Sequence, residues 1–510
     1  MLRSHTISRC ICKSAKRHFS VSFIAKSTDV QQQLSTSVKN ILTKYNIDIS
    51  KEDFTKDLEE PLIQHLYKRD LIETCVNEDQ LVEQLKSTTS KLGLYCGADP
   101  TAKSLHLGNL LPLMVLLHFN IRGHNVNPLI GGATGSVGDP SGRTTERDVM
   151  AQETRLTNVE RISDQLVNFF KQGLSYSISR NPLIEFSQTG TQTLRNNFDW
   201  WKDIGMLDFL ARYGRFIRVN QMLARDSVKS RLGSEQGLGF NEFTYQILQA
   251  FDFYHLNKNC GVDIQVGGND QYGNIVAGVD LITRLKKQEG FNQDKECFGL
   301  TVPLLTTSNG VKFGKSAGNA VFISKELTPS YGIYQFMYNT TDEDVKRFLY
   351  KFSLLPTSLI DKVIAKHDAN KKLRIGQKLL AIEMCDLIHG DGEGFNNFII
   401  SEVLFSKDSI DTFNADEILH AFKLQNMVTS IPRDEIEHTS VGNLLYDVSN
   451  GAKSKSEYRR MIKGGSVYVG NDKTTKFKSF EDPIDLEKHL IEEKLLLLRV
   501  GKQYHIIEIV

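Results

Sequence analysis

The sequence predicts an α/β protein: a doubly wound parallel sheet, then a helical unit, then a small α+β unit. Three patterns predict it. From Pro61 to about Asn292, short apolar runs alternate with amphipathic helical stretches, as strands joined by crossover helices do. Residues 330–400 turn mostly helical. The last 70 residues mix a short helix, a turn and a strand-like end.

Taken in order, residues 1–28 hold Arg3, Arg9, Lys13, Lys16, Arg17 and Lys26 and no acid before Asp29. Without these six charges the net charge falls from +1 to −5. With Ser4, Ser8, Ser14, Ser20, Ser22 and Ser27 they have the basic, serine-rich, acid-poor character of a mitochondrial transit peptide, which implies the matrix. A basic tail that binds nucleic acid is the alternative. Residues 29–60, with Gln31-Gln32-Gln33, read as an N-terminal extension of linker or weak helix. Lys91–Ala98 and Val126–Gly131 read as strands with a helix, Leu107–Asn120, between them. Asn158–Phe170 reads as helix, and Val262–Val266 as a strand ending in glycines. Lys371–His389 reads as helix, and residues 400–440 give no clear pattern. Ser456–Gly464 reads as helix, followed by a turn at Val469–Asp472. The expected division is 61–325, 326–435 and 436–510.

Composition narrows the class. Apolar residues at 40% and charged residues at 24% fit a globular chain rather than a disordered one. The longest apolar run, Leu110 to Phe119, is broken by Pro112 and His118, so no membrane span is expected. The cysteines at 10, 12, 75, 96, 260, 297 and 385 form no CxxC pair, and neither a zinc site nor a disulfide framework is indicated.

Three motifs carry chemistry. Tyr95–Thr101 ends a strand at Asp99, which could cap the turn that Pro100 opens, and His106-Leu107-Gly108-Asn109 then opens a helix. A helix N-terminus offers free N–H groups to phosphates, and Gly108 leaves room for a nucleotide against the backbone. Gly131–Arg143 is rich in glycine, with Asp139 and Arg143 in it and Arg147 beyond, and suits close approach of backbone to a ligand. Lys312-Phe313-Gly314-Lys315-Ser316 follows the strand-like Leu300–Leu305, and its two lysines can swing onto a leaving pyrophosphate. Each alone could be a tight turn or a surface loop.

Together they resemble the signatures of class I aminoacyl-tRNA synthetases: His106–Asn109 is similar to "HIGH" and Lys312–Ser316 to "KMSKS", about 200 residues apart. Within the class the tyrosyl branch is resembled most closely, through Tyr95–Thr101, Gly131–Arg143, Phe243–Asp252 and Gly267–Gln271. The resemblance runs from about Pro61 to the C-terminus. It implies a Rossmann-like catalytic domain, a helical anticodon-binding domain and a small RNA-binding domain also found in a ribosomal small-subunit protein. The expected partners are L-tyrosine, ATP with Mg²⁺, tRNA(Tyr) and a second copy of the chain, with no metal held by the protein.

The resemblance also assigns residues. Tyr95 and Asp252 would meet the phenol, which an isostere lacking the hydroxyl leaves unpaired; tyrosyl enzymes are the standard illustration of that rule. Gly97 would line the tyrosine pocket, Asp139, Tyr245 and Gln249 would meet the ammonium, and Gln271 would orient the carboxylate. Gly108, Gly268 and Asp270 would hold the adenylate, with Asp99 near its ribose. Thr101 and His106 would bond the γ-phosphate, while Arg143, Arg147, Lys312 and Lys315, with Ser316 in the same loop, would act on the pyrophosphate. Asn109 replaces a histidine of the signature and can still donate to a ribose. Tyr272 and Ala98 are two further departures, and neither removes a needed group.

RNA would be gripped beyond the catalytic domain. Tyr334-Gln335-Phe336 and Gln377–Ala381 resemble the anticodon-binding domain, and Ala452–Arg460 the small RNA-binding one. Residues 451–480 carry a local charge of +6, to which Lys453, Lys455, Arg459, Arg460 and Lys463 contribute. Some fungal mitochondrial members of the family also help group I introns fold, so intron RNA is an alternative or added partner. The sister tryptophanyl enzyme is the other rival reading.

Overall fold

The computed structural model describes residues 34–87, 91–142, 145, 150–233, 235, 237–289, 296–310, 313, 315–316, 319–406, 412–449, 451–470 and 475–510. The expected transit peptide lies outside the described residues, as do Arg143, Arg147 and Lys312.

The catalytic sheet has six strands: β1 (Thr74–Val76), β2 (Gly93–Ala98), β3 (Asn125–Ile130), β4 (Arg195–Asn196), β5 (Ile264–Gly268) and β6 (Phe298–Val302), in the order β1-β6-β5-β2-β3-β4. All neighbours run parallel except the edge pair β1 and β6. The chain winds outward from β2 through β3 to β4, then returns to place β5 on the other side of β2. The winding therefore reverses between β2 and β5, and the crevice beyond their carboxyl ends is where a doubly wound sheet binds ligands.

Both faces of this sheet are covered, so its strands are buried instead of alternating. One face carries the helix Leu110–Asn120, whose residues are buried all round except at Pro112. That proline is tolerated because it sits in the first turn. The other face carries Phe240–Cys260 and Tyr272–Glu289.

The first face is continuous with the helical unit, Ser330–Tyr338 to Glu393–Phe405, and one apolar core runs from Leu34 to Phe398. Residues 34–60 correct the linker reading. Thr36–Lys44 is a packed helix, Lys44 pairs with Glu402 at 2.9 Å, and Lys378 donates to the Tyr45 hydroxyl at 2.8 Å. Apolar residues spaced as Val38, Ile41 and Leu42 are what bury it. A buried Arg180 ties the catalytic unit to the helical one through Glu383, Asp386 and Asp391 at 2.8, 2.5 and 2.7 Å.

A two-residue hairpin, β7 (Lys315–Ser316) with β8 (Asn319–Ala320), precedes the helical unit. The last unit is a sheet of β9 (Val428–Ile431), β10 (Val467–Val469), β11 (Thr475–Lys476), β12 (Leu490–Ile491), β13 (Leu495–Val500) and β14 (Gln503–Ile509). It begins before the expected boundary at 436, because β9 is its parallel edge, paired with β14. Four successive leucines in β13 follow from burial on both sides: Leu496 and Leu498 face one core, Leu495 and Leu497 another. The second core includes Ala415–Lys423, the helix in the stretch whose pattern was unclear. Among the described residues no helix is long and apolar enough to cross a membrane.

Candidate active site

Successive residues of β2 point to opposite faces, so Tyr95 and Cys96 part company. Tyr95 enters the core beneath Phe240–Cys260 and packs on Phe253, ring centroids 5.4 Å apart. It is 1% exposed, and its hydroxyl is buried without a hydrogen-bond partner. Cys96 faces the other core; burial pushes its thiol up to about 12, which keeps it protonated.

Asp252, also buried, stands close enough for its charge to raise the Tyr95 hydroxyl further, after burial itself. Its carboxylate is held by three donors: Trp200 Nε1 at 2.8 Å and Trp201 Nε1 at 2.7 Å on one oxygen, Asn197 Nδ2 at 3.0 Å on the other. Burial nevertheless lifts its pKa to about 7, against the pull of those hydrogen bonds. Asn197, Trp200 and Trp201 were not legible as site residues. Their only signal was a polar-aromatic cluster in a stretch without apolar period.

Thr101 N bonds the Asp99 backbone oxygen at 2.8 Å. The Asp99 carboxylate accepts Thr134 Oγ1 at 3.0 Å and the Tyr245 hydroxyl at 2.7 Å. Since Tyr245 donates to Asp99, the lone pairs of its oxygen remain for a cation.

The glycine-rich loop packs first against the protein itself. A Cβ on Gly131 would lie 2.0 Å from Asp99 Oδ1, and one on Gly132 2.2 Å from Asn196 Oδ1. Where the loop turns back, Gly142 has φ +69° and lies against Asp270, which Gly268 also abuts. Gly97, by contrast, is exposed at the end of β2, and a Cβ there would stand 4.0 Å from Leu129 Cδ2, in ordinary contact.

A polar chain crosses the pocket beside Tyr245. Asp139 accepts Ser141 N at 2.9 Å and Gln271 Nε2 at 2.7 Å. Asn274 Nδ2 then reaches Gln271 Oε1 at 3.0 Å, Gln249 Oε1 at 3.1 Å and Ser141 Oγ at 3.4 Å. Sequence reading missed Asn274. Its spacing could have found it: three residues past Gln271 on a helix is the same face.

On the other side of β2, His106 and Asn109 form a reciprocal cap at the turn heading Leu110–Asn120. His106 Nδ1 accepts Gly108 N at 3.1 Å, and Asn109 Oδ1 accepts His106 N at 3.0 Å. A Cβ on Gly108 would come within 2.9 Å of the histidine ring. The exit of the lysine loop is stitched to this motif: Leu107 N bonds Val321 O at 3.1 Å and Ile323 N bonds Leu105 O at 3.0 Å. Lys315 and Ser316 are described as strand backbone only.

The basic residues near the C-terminus lie in the last unit. Helix Lys455–Lys463, capped by Ser454, buries Tyr458 and Ile462 and leaves Lys455, Arg459, Arg460 and Lys463 exposed. Arg459 also lies over Phe480 and pairs with Glu481 at 3.2 Å; Lys453, just before the helix, is half-buried.

The crevice at the switch point thus has a capped helix on one side and a sealed carboxylate on the other. Residues 86–394, more than half of the chain, match the family model for tRNA synthetases class I (W and Y), and the chain belongs to that class. It is 48% identical over 444 residues to the mitochondrial tyrosine–tRNA ligase of Saccharomyces cerevisiae, covering 87% of each chain. It is 39% identical over 414 residues to the tyrosine–tRNA ligase of Listeria welshimeri, covering 81% of this chain and 91% of that one. Among solved structures, the C-terminally truncated mitochondrial tyrosyl-tRNA synthetase of Aspergillus nidulans matches with a TM-score of 0.62 at 33% identity, covering 72% of this chain and 99% of that one. The Coccidioides posadasii counterpart gives 0.59 at 32%, covering 71% and 96%. Within the class, this chain is a tyrosine–tRNA ligase.

Proposed function

We propose that this ligase seats tyrosine with its ring between β2 and Phe240–Cys260 and its head group at the Asp139–Gln271 chain. The observation that carries the reading is the Tyr95 hydroxyl, buried and unpartnered beside Asp252. A buried hydroxyl without a partner costs about 1–3 kcal/mol. A substrate phenol can accept from Tyr95 and donate to Asp252, which relieves both. Asp139, Tyr245 and Gln249 offer oxygen to the ammonium.

ATP lies on the His106 side, its phosphates toward the helix N-terminus and its ribose toward Gly268 and Asp270. With Asn109 Oδ1 committed to the cap, its NH₂ is the end offered to the nucleotide. Attack of the tyrosine carboxylate on the α-phosphorus forms tyrosyl-adenylate and releases pyrophosphate. No protein nucleophile is needed, so the residues act by position and charge. Thr101, Arg143, Arg147, Lys312 and Lys315, with Ser316, act on the departing phosphates, and Mg²⁺ arrives with ATP. The tyrosyl group then passes to the 3′ end of the tRNA.

The exposed face of helix Lys455–Lys463, with Lys453, contacts the tRNA backbone. A homodimer is supported by apolar side chains at the surface, among them Met206 at 67%, Leu207 at 82% and Phe240 at 72% exposed, with Leu210, Val219 and Leu223. The chain acts in mitochondria, as its yeast relative's name states of that protein, and the matrix is the site proposed. ATP–pyrophosphate exchange with tyrosine, phenylalanine and tryptophan, followed by tRNA charging, tests the reading. Exchange should depend on tyrosine; equal exchange with phenylalanine or tryptophan would overturn it.

A further inference from the structure

We infer that Asn274 is a positioning residue that decides which end of each head-group glutamine faces the amino acid. The inference rests on the head-group assignment of Asp139, Gln249 and Gln271 above. Asn274 is 5% exposed, in the first turn of Tyr272–Glu289. Its single carboxamide nitrogen lies 3.0 Å from Gln271 Oε1 and 3.1 Å from Gln249 Oε1, oxygens contributed by two different parts of the chain.

A primary amide is a donor at one end and an acceptor at the other. With both glutamine oxygens held by one donor, both NH₂ ends are turned away from it, and the second lone pair of Gln249 Oε1 is the one that meets the ammonium. For Gln271 the consequence is visible: its NH₂ donates to Asp139 Oδ2 at 2.7 Å, while Ser141 N holds Asp139 Oδ1 at 2.9 Å. Were Gln271 reversed, its oxygen would oppose a carboxylate oxygen. Asn274 therefore sets Gln271, and Gln271 sets the carboxylate that meets the ammonium. The 3.4 Å approach of Asn274 to Ser141 Oγ ties the same residue to the glycine-rich loop. Among the described residues no other donor reaches either glutamine oxygen.

The ring end has separate supports, Tyr95, Phe253 and the donors on Asp252, and this separation supplies the test. Asn274→Ala, Asn274→Asp and Gln271→Ala are compared with the unaltered chain by pyrophosphate exchange, varying tyrosine, phenylalanine and ATP. Asn274→Ala should raise the tyrosine KM by about 10- to 100-fold, the scale of one or two lost buried hydrogen bonds. The ATP KM and the tyrosine-to-phenylalanine ratio of kcat/KM should stay close to those of the unaltered chain. Asn274→Asp keeps the shape and removes the donor, so it should be at least as damaging. An unchanged tyrosine KM in Asn274→Ala, or normal activity in Asn274→Asp, would overturn the inference. So would loss of the tyrosine preference along with the KM, since that marks a general collapse of the pocket. Gln271→Ala separates the levels: if it raises the KM and Asn274→Ala does not, only the role of Asn274 falls. If Gln271→Ala also leaves the KM unchanged, the head-group assignment falls with it.

Discussion

At the ring end of the pocket, the hydrogen bonds that fix side chains span long stretches of sequence. Asn197, Trp200 and Trp201 reach Asp252 across 55, 52 and 51 residues. At the nucleotide end they are local: His106 bonds Gly108 and Asn109, two and three residues away. The ring end exists only when the whole sheet is closed, whereas the nucleotide end is a helix cap that a short segment can form. Loss of a ring-end hydrogen bond should therefore couple activity to stability, and damage to the local cap should cost little stability.

Asp252→Ala should have the largest effect. It strands the buried Trp200 Nε1 and the part-buried Trp201 Nε1 and takes one of two acceptors from Asn197 Nδ2, which also reaches Thr134 Oγ1 at 2.9 Å; a buried donor left unpaired costs about 1–3 kcal/mol. Tyrosine-dependent exchange should fall at least about 1000-fold and the Tm by several degrees, since a few kcal/mol is a large part of a domain's stability. Loss of activity at normal Tm would mean that the three donors find other partners, and would break the comparison.

Lys315→Ala should come next, lowering kcat for adenylate formation by about 10²–10³, the scale of a lost charge-stabilising donor. The tyrosine KM and the Tm should barely change. A raised KM with normal kcat would place this lysine in ground-state binding instead.

A pH profile sharpens the ring end specifically. Asp252 titrates near 7 when folded, raised by burial from an ordinary carboxylate value of 3.8. An acid raised in this way binds its proton more tightly folded than unfolded. Its contribution to stability is therefore greatest below pH 3.8 and declines as pH rises to about 7. Tyrosine binding has the opposite dependence, because the phenol donates best to the ionised carboxylate. The tyrosine KM should fall about tenfold from pH 6 to 8, each pH unit below the pKa being worth a factor of ten in ionised fraction. Asp252→Asn should flatten that dependence, and a profile it leaves untouched would assign the titration elsewhere.

The same contrast explains what the sequence could tell. The signature at His106–Asn109 was readable because its residues are neighbours and their spacing is their geometry. The alternation of strands and helices was readable for the same reason, and so was the basic face of Lys455–Lys463. Asn197, Trp200 and Trp201 were not, since each acts through Asp252, more than 50 residues away along the chain. The bonds of Thr134 and Tyr245 to Asp99 were not readable, since those residues lie 35 and 146 positions further along the chain. Thr36–Lys44 reads in the sequence as linker or weak helix, because the residues that fix it, Lys378 and Glu402, lie far along the chain.

Asn109→Ala should have the smallest effect among these variants of the site. It removes the side-chain half of a reciprocal cap, worth about 1 kcal/mol, and an amide that faces the nucleotide. The ATP KM should rise a few-fold while the tyrosine KM and the tyrosine-to-phenylalanine ratio hold.

The most direct test of the ring-end account is Tyr95→Phe, measured for Tm and for exchange with tyrosine and phenylalanine. The hydroxyl removed has no partner within the protein, so the account predicts an unchanged or slightly raised Tm. Tyrosine kcat/KM should fall by about tenfold, the scale of one hydrogen bond to the phenol, while phenylalanine kcat/KM is unchanged or higher. A lowered Tm with the tyrosine-to-phenylalanine ratio intact would contradict it, because the hydroxyl would then serve the fold and not the substrate.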